Sequence, residues 1–324
     1  MEFKDRKEHD NLLVSIIVIT YNSSLYVLET LESVRVQTYQ NIELIVSDDC
    51  STDNTVEICK TWIQENKDRF VRTELIAVSQ NTGIPMNCNR GVKVARGEWV
   101  KLIAGDDALE SSAIASLIKF AMANPMAEVL DSKVKLCENI LSNKNGEINN
   151  YDHNFFSLNI SSIDQLKMLA NNMNGARIIS TLGVFIKRDL IIKVGGFNLK
   201  YRHLEDTPMW IRILKADKKF YFLNEYTVKY RLHNQSVSSK INYNNNQVIS
   251  EFKLNVDQLI FDELFTYLNV MNKLNILWFR FIYKLILTLG NSGKFSVKIL
   301  EIGQALQPIR LLWFQRKYNQ IVKK

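Results

Sequence analysis

The chain has 324 residues, 46% of them hydrophobic and 23% charged, enough to bury one large domain or two smaller ones and too apolar for a disordered polymer. Its four cysteines, Cys50, Cys59, Cys88 and Cys137, form no CxxC pair and no other metal-ligand spacing, which excludes a cysteine-built zinc site and fits a reducing compartment. The formal charge of +7 is gathered at the end, where from Lys273 onward ten lysines and arginines face Glu301 alone; nucleic acid, an anionic membrane surface or an acidic partner could meet such a segment.

The first residues, MEFKDRKEHDN, are polar and mixed in charge, without the basic start and apolar run of a secretory signal, so a cytoplasmic location is expected. From Val14 to Asp107, short β-branched runs alternate with helical stretches, the pattern of a parallel sheet covered by helices. Strands are predicted at Val14 to Ile19, Ile42 to Ser47, Arg72 to Val78 and Trp99 to Ile103, nearly continuous in apolar character as strands covered on both faces tend to be. Between them, Leu28, Leu31 and Val34 form one helical stripe and Val56, Cys59 and Ile63 another, the second after the cap-rich Ser51, Thr52 and Asp53. Beyond Asp107 the alternation fades into an α+β pattern. It holds a polar, loop-like stretch at Asn139 to Asn159, a strand candidate at Leu182 to Ile186, a turn at 195–197, a helix over Asp206 to Leu214 and a strand over Tyr226 to Arg231. Four asparagines within Asn242 to Asn246 read as a linker, and almost all of the chain beyond it is helical in period. The expected division is therefore 1–110 and 111–239 as two halves of one core, and 240–324 as a basic, amphipathic helical extension.

In an open parallel sheet the ligand lies beyond the carboxyl ends of the strands. Those ends are polar at every turn: ThrTyrAsn at 20–22, AspAsp at 48–49, GlnAsnThrGly at 80–83 and GlyAspAsp at 105–107. Such residues also make ordinary turns, but four converging turns with two Asp pairs point to a site. A carboxylate pair is costly unless a cation or donors compensate it, so Asp106 and Asp107 suggest a divalent metal. No GxxxxGK[ST] loop is present, so a metal in this position would bind phosphate, as in a nucleotide-diphosphate donor site.

The ordered set SIIVITYN (15–22), IVSDDCSTDNT (45–55), NTGIPMNCNRGVKVARGEWV (81–100), AGDD (104–107) and GGFN with HLEDTPMWIRI (195–213) resembles glycosyltransferase family 2, over about two thirds of the chain. The resemblance implies the GT-A fold, a Rossmann-like mixed sheet flanked by helices, here with a C-terminal helical extension. It also implies inverting transfer of a hexosyl or N-acetylhexosaminyl group from a UDP-sugar to a glycan or lipid-linked saccharide, in capsule, exopolysaccharide or lipopolysaccharide synthesis. By the same resemblance Thr20, Tyr21 and Asn22 line the nucleotide pocket, Asp49 meets the uracil with Asp48 as the alternative, and Asn81, Asn89 and Arg90 pass over the nucleotide. Cys88 stands where the family often has arginine, and Arg90 is the substitute. Asp106 is expected near the ribose and Asp107 on Mn2+ or Mg2+; residue 105, a glycine, is no ligand. Asp206 would be the general base, with Glu205 as an acceptor contact; the alternative is that Asp206 merely caps the helix before Pro208. His233 is expected near the metal or the diphosphate, and Arg202 and Arg231 are further candidates for steadying the leaving group.

Two other classes share this pattern. A sugar-nucleotidyltransferase would begin with a Gly-rich signature that is lacking here, and a silent carbohydrate-binding scaffold has no need of both GlyAspAsp and LeuGluAsp. In the last segment, Lys273, Arg280, Lys284, Thr288 and Asn291 recur at helical spacing beside a run too short and too charged to span a bilayer. That favours peripheral contact with an anionic membrane surface on the inner face of the cell membrane, or packing and homo-oligomerisation through these helices. Nucleic acid is not expected, because the aromatics sit inside aliphatic runs.

Overall fold

The computed structural model describes residues 12–138, 160–172, 179, 181–201, 204, 206–233 and 248–308. The expected loop at 139–159 and the linker at 242–246 lie outside them. The chain separates into two compact units: Met1–Gln165, Ala176–Lys200 and Glu205–His233 in the first, and Leu166–Gly175, Tyr201–Leu204 and Asn234–Lys324 in the second.

The first unit is built on β1 (Val14–Thr20), β2 (Ile42–Asp48), β3 (Arg72–Ala77) and β4 (Trp99–Ala104), each within a residue of where the apolar runs place it. They pair in parallel in the order β3-β2-β1-β4. β1 and β2 are buried almost throughout because helices cover both faces, whereas β3 is only half-buried, as an edge strand with Arg72 and Glu74 must be. The joining helices are α1 (Val27–Arg35), α2 (Thr55–Asn66) and α3 (Ile84–Val94). α1 turns Val27, Leu31 and Val34 into the core and leaves Leu28 in solvent; the stripe is one residue narrower than the sequence pattern suggests.

Past β4 come β5 (Ala108–Leu109), α4 (Ala113–Ala123), β6 (Val129–Glu138), α5 (Ser162–Asn172), β7 (Phe185–Lys187), α6 (Arg188–Lys193), α7 (Thr207–Lys215) and β8 (Tyr221–Leu232). The predicted strand at 182–186 starts late: 181–183 form a turn and only Phe185–Lys187 pairs, antiparallel to Trp99–Lys101 of β4. These strands complete one eight-stranded mixed sheet, β3-β2-β1-β4-β7-β6-β8-β5. One face carries a single core of Val14, Ile16 and Val18 with α1, α2 and α4. On the other face α3 packs through Gly91, whose missing side chain admits Ile17.

The second unit contains α8 (Glu251–Leu259), α9 (Val270–Thr288) and α10 (Gly293–Ala305). Ile282, Tyr283 and Ile286 of α9 pack with Ile249, Ile299 and Leu300; Arg280 pairs with Asp257 of α8 at 2.9 Å, and the Trp278 indole N–H donates to the Gly303 carbonyl of α10. Val270, Leu274, Leu277, Phe281 and Leu285 are left exposed along one face of α9. No helix among the described residues is long and apolar enough to cross a membrane.

A methyl group at Gly91 would sit 2.4 Å from Ile17 Cγ2. Gly91→Ala is therefore expected to cost about 1–3 kcal/mol by overpacking and to lower the melting temperature by roughly 2–10 °C. Calorimetry on the two proteins checks this, and an unchanged midpoint would mean that α3 and β1 are not in such close contact.

Candidate active site

The carboxyl ends of β1, β2 and β4 lie side by side because their registers pair Thr20 with Asp48 and Ile19 with Ala104. Gly105 lets the last turn close: its N–H donates to Ile19 O, and a Cβ there would meet Thr20 Cγ2 at 2.8 Å. Two Asp pairs thus converge on one edge, and their environments differ.

Asp48 and Asp49 are buried and well supplied with donors. Asp48 accepts from Thr20 Oγ1 at 2.7 Å and from the Ser51 N–H and hydroxyl at 2.8 and 2.5 Å, so it ties the end of β1 to the turn after β2. Asp49 accepts from the Thr82 N–H and hydroxyl, the Gly83 N–H at 2.7 Å and Arg90 at 3.2 Å. Its main-chain carbonyl accepts from Asn81 Nδ2. Asp49, Asn81 and Arg90 therefore form one assembly that draws the 81–83 turn over the strand ends. Asn22, with φ of 51°, accepts from the Thr52 N–H at 2.8 Å and donates its own N–H to Ser51. Tyr21 beside it is half in solvent.

The second pair is divided. Asp107 is buried, and its Oδ1 accepts the Arg231 N–H at 2.9 Å. Its Oδ2 has no hydrogen-bond partner among the described residues. Burial drives its carboxyl well above the usual carboxylate range and the Asp106 charge adds to this, against the pull of Arg231 and Lys101. Asp106 keeps 27% of its side chain exposed and reaches His233 Nε2 through Oδ2 at 2.9 Å. The His233 ring packs on Tyr26 with centroids 4.7 Å apart.

Arg231 is buried behind this pair. Its Nε donates to the Asp106 carbonyl at 2.9 Å and its Nη2 to Glu29 at 2.8 Å, while the guanidinium lies 4.5 Å from the Tyr26 ring centre. Asn89 faces elsewhere, donating to the Phe197 carbonyl at 2.9 Å and accepting the Phe197 N–H at 2.7 Å. It thus pins the turn in which Gly195 and Gly196 adopt φ of 85° and 67°. Asp206 caps α7, its Oδ1 accepting from Thr207 N at 2.5 Å, and its Oδ2 accepts from Thr181 Oγ1 at 2.5 Å. Arg202 and Glu205 lie outside the described residues.

Among the described residues no group of three His, Cys, Asp or Glu side chains is assembled for a metal. Sequence reasoning passed over Glu29 and Tyr26, which only the return of β8 brings to the site, and Thr181. It also read Lys101 as part of an apolar strand, although a lysine inside WVKLIA was itself a signal of an interior cation.

Residues 15–179 match the family described as Glycosyl transferase family 2. Glycosyltransferase GlyG of Streptococcus pneumoniae is 28% identical over 226 residues, 69% of this chain and 72% of that protein. The putative teichuronic acid biosynthesis glycosyltransferase TuaG of Bacillus subtilis is 27% identical over 70% of this chain and 82% of its own length. In structure, S. aureus TarS 1-349 in complex with UDP-GlcNAc superposes with a TM-score of 0.60 at 20% identity, covering 82% of this chain and 70% of that one. The mannosyltransferase PcManGT of Pyrobaculum calidifontis, in complex with GDP-Man and Mn2+, gives 0.54 at 15% identity, covering 95% and 81%. At these identities the structural likenesses establish the fold.

Because both Asn89 contacts run to the main chain of Phe197, Asn89→Ala is expected to cost about 1–3 kcal/mol of stability by leaving two backbone groups unsatisfied. UDP affinity should stay within about twofold, since a twofold change is under half a kcal/mol. Thermal melting and calorimetric titration separate the two effects; a lost affinity at unchanged stability would return Asn89 to the nucleotide site.

Proposed function

The chain belongs to glycosyl transferase family 2 and is a glycosyltransferase, and from that premise we propose that it transfers a sugar from a UDP-sugar to a glycan or lipid-linked saccharide, with inversion, in the assembly of a bacterial surface polysaccharide. The likeness to TuaG supports the polysaccharide setting, and the TarS complex supports a UDP donor. The nucleotide is taken to lie over Thr20 and Tyr21, against the turn that Asp49, Asn81 and Arg90 hold.

The observation that carries the reading is the Asp106–His233 contact at 2.9 Å on the open side of the second Asp pair. A carboxylate beside an imidazole is a donor set that suits Mn2+. Asp107 is closed off from solvent, whereas Asp106 keeps part of its side chain exposed, so we assign the metal to Asp106 and His233 and give Asp107, through the Arg231 N–H, the support of β8. A divalent cation held there would compensate the charge of the donor's diphosphate. Arg231 acts from behind, fixing the Asp106 carbonyl and the path of β8 rather than reaching out to phosphate.

Asp206 is assigned the acceptor's proton. The acceptor oxygen bonds to the anomeric carbon as the bond to the diphosphate breaks on the opposite face, and the hydroxyl proton passes to the Asp206 carboxylate. The same carboxylate caps α7, so the two readings of Asp206 are compatible. A helix start holds a carboxylate well, because the orphan N–H groups of the first turn favour negative charge.

Asp106→Ala is expected to remove the Mn2+-dependent part of UDP affinity, about tenfold or more, whereas Asp107→Ala, which removes the acceptor of the Arg231 N–H, keeps the Mn2+ dependence and loses thermal stability instead. Calorimetric titration of UDP with and without Mn2+ tests this. An Asp106→Ala protein whose UDP affinity responds to Mn2+ like the parent's would sink the assignment.

A lipid-linked acceptor also gives a purpose to the exposed face of α9. Val270, Leu274, Leu277, Phe281 and Leu285 form its apolar stripe, Lys273 and Lys284 border it, and Lys294 and Lys298 come next on α10. A second copy laid on this face by two-fold symmetry would oppose like charges, while an anionic bilayer satisfies both features. Sedimentation with phosphatidylcholine vesicles should show binding that grows with phosphatidylglycerol content. Phe281→Asp should weaken it by about tenfold, the worth of one large apolar side chain. Equal sedimentation of the variant and the parent at every composition would discard this face as the contact.

A further inference from the structure

The turn before β7 is held from inside the sheet by groups that the proposed transfer step does not use. Three successive carbonyls, those of residues 182–184, each accept a side-chain donor. Lys101 Nζ of β4 donates to Leu182 O and, at 3.2 Å, to Val184 O, and Ser132 Oγ of β6 donates to Gly183 O at 2.8 Å. Gly183 is also pressed against β6 so closely that a Cβ would lie 2.1 Å from Asp131 Oδ1. Lys101 is fully buried. Burial pushes its ammonium down to about 7, against the pull of Asp131 and Asp107. Taking a lysine so far from water is costly, and at this position its flexible stem and three donors serve two main-chain carbonyls that no apolar residue could satisfy.

The residue that this anchored turn presents is Thr181, whose hydroxyl donates to Asp206 Oδ2 at 2.5 Å, a charge-assisted contact. Asp206 Oδ1 is meanwhile held by Thr207. The carboxylate is therefore fixed at both oxygens by two independent segments, one the start of α7 and the other a turn braced by β4 and β6. A base held at one oxygen only can rotate about its χ2, and small misplacements of a reacting group carry large costs in rate.

We propose that Thr181 is a positioning residue for Asp206, and that Lys101 and Ser132 keep Thr181 in place by bracing the 182–184 carbonyls. The inference rests on Asp206 being the base, and its test separates the failure of one from the failure of the other.

The assay is UDP release from whichever of UDP-glucose, UDP-galactose, UDP-N-acetylglucosamine and UDP-N-acetylgalactosamine the full-length parent hydrolyses fastest in Mn2+, with water as acceptor. Thr181→Val, which keeps the side chain's shape and removes its hydroxyl, should lower kcat about tenfold while the donor KM and the calorimetric UDP affinity stay within about twofold. Thr181→Ser should recover most of the rate. In an Asp206→Asn background, Thr181→Val should add no further loss, because the two residues act as one unit. Lys101→Gln is expected to give the same kcat-only loss; should it fail to fold, Ser132→Ala loosens the same turn at Gly183 O and takes its place. A Thr181→Val protein with the parent's kcat, alongside a slowed Asp206→Asn, overturns the inference and leaves Asp206 as base. A raised donor KM at unchanged kcat also overturns it, making Thr181 a donor contact. Parent-like turnover in Asp206→Asn would instead remove the base assignment on which the positioning role stands.

Discussion

Arg231 is the residue on which the half of the site around Asp106 and Asp107 depends. Its main-chain N–H meets Asp107, its Nε meets the Asp106 carbonyl, its Nη2 meets Glu29, and its guanidinium lies on the Tyr26 ring. Two stretches far from β8 in sequence, the turn after β4 and the start of α1 from Tyr26 to Glu29, thereby share its one buried cation. A guanidinium suits this position because it is weakly hydrated, planar and rich in donors fixed in direction. A lysine would offer these partners a point charge without the fixed, planar fork. His233, two residues on along the same chain, reaches Asp106 only because β8 is held there.

The two Asp pairs show how environment divides residues of one type. Asp48 and Asp49 accept from hydroxyls and N–H groups of adjacent turns, so their charge is met by local donors and spent on architecture. Asp107 is closed in with Arg231 on one oxygen, and Asp106 alone keeps solvent and an imidazole beside it.

Interior polar groups recur along the sheet at points where main chain would otherwise be left without partners. Glu43, fully buried in β2, accepts from Ser15, from the Arg96 and Gly97 N–H groups and from Arg72. Burial raises its carboxyl, and those donors outweigh the effect and leave it below the usual range. Lys101 does the converse for the carbonyls of the turn at 182–184. One residue satisfies N–H groups and the other carbonyls, and each fixes a connection against an edge of the parallel strands.

The amino-acid sequence alone determined the parallel strands, the polar turns at their carboxyl ends and the cap at Asp206. These depend on local period and on residue types whose conformational preferences act within a few neighbours, and β1 to β4 accordingly stand within a residue of the apolar runs. Tertiary structure decided the rest. A contiguous AspAsp does not reveal which carboxylate faces inward, because that depends on a strand 124 residues away. Asn89 resembles a ligand-facing residue until Phe197, 108 residues later, takes both of its polar atoms. Leu28 belongs to the helical stripe by period, yet it is left exposed while Leu31 and Val34 are buried. The pairing of Thr181 with Asp206, and of Lys101 with the 182–184 turn, joins segments by long-range hydrogen bonds that carry no periodic signature, so only the folded chain could disclose them.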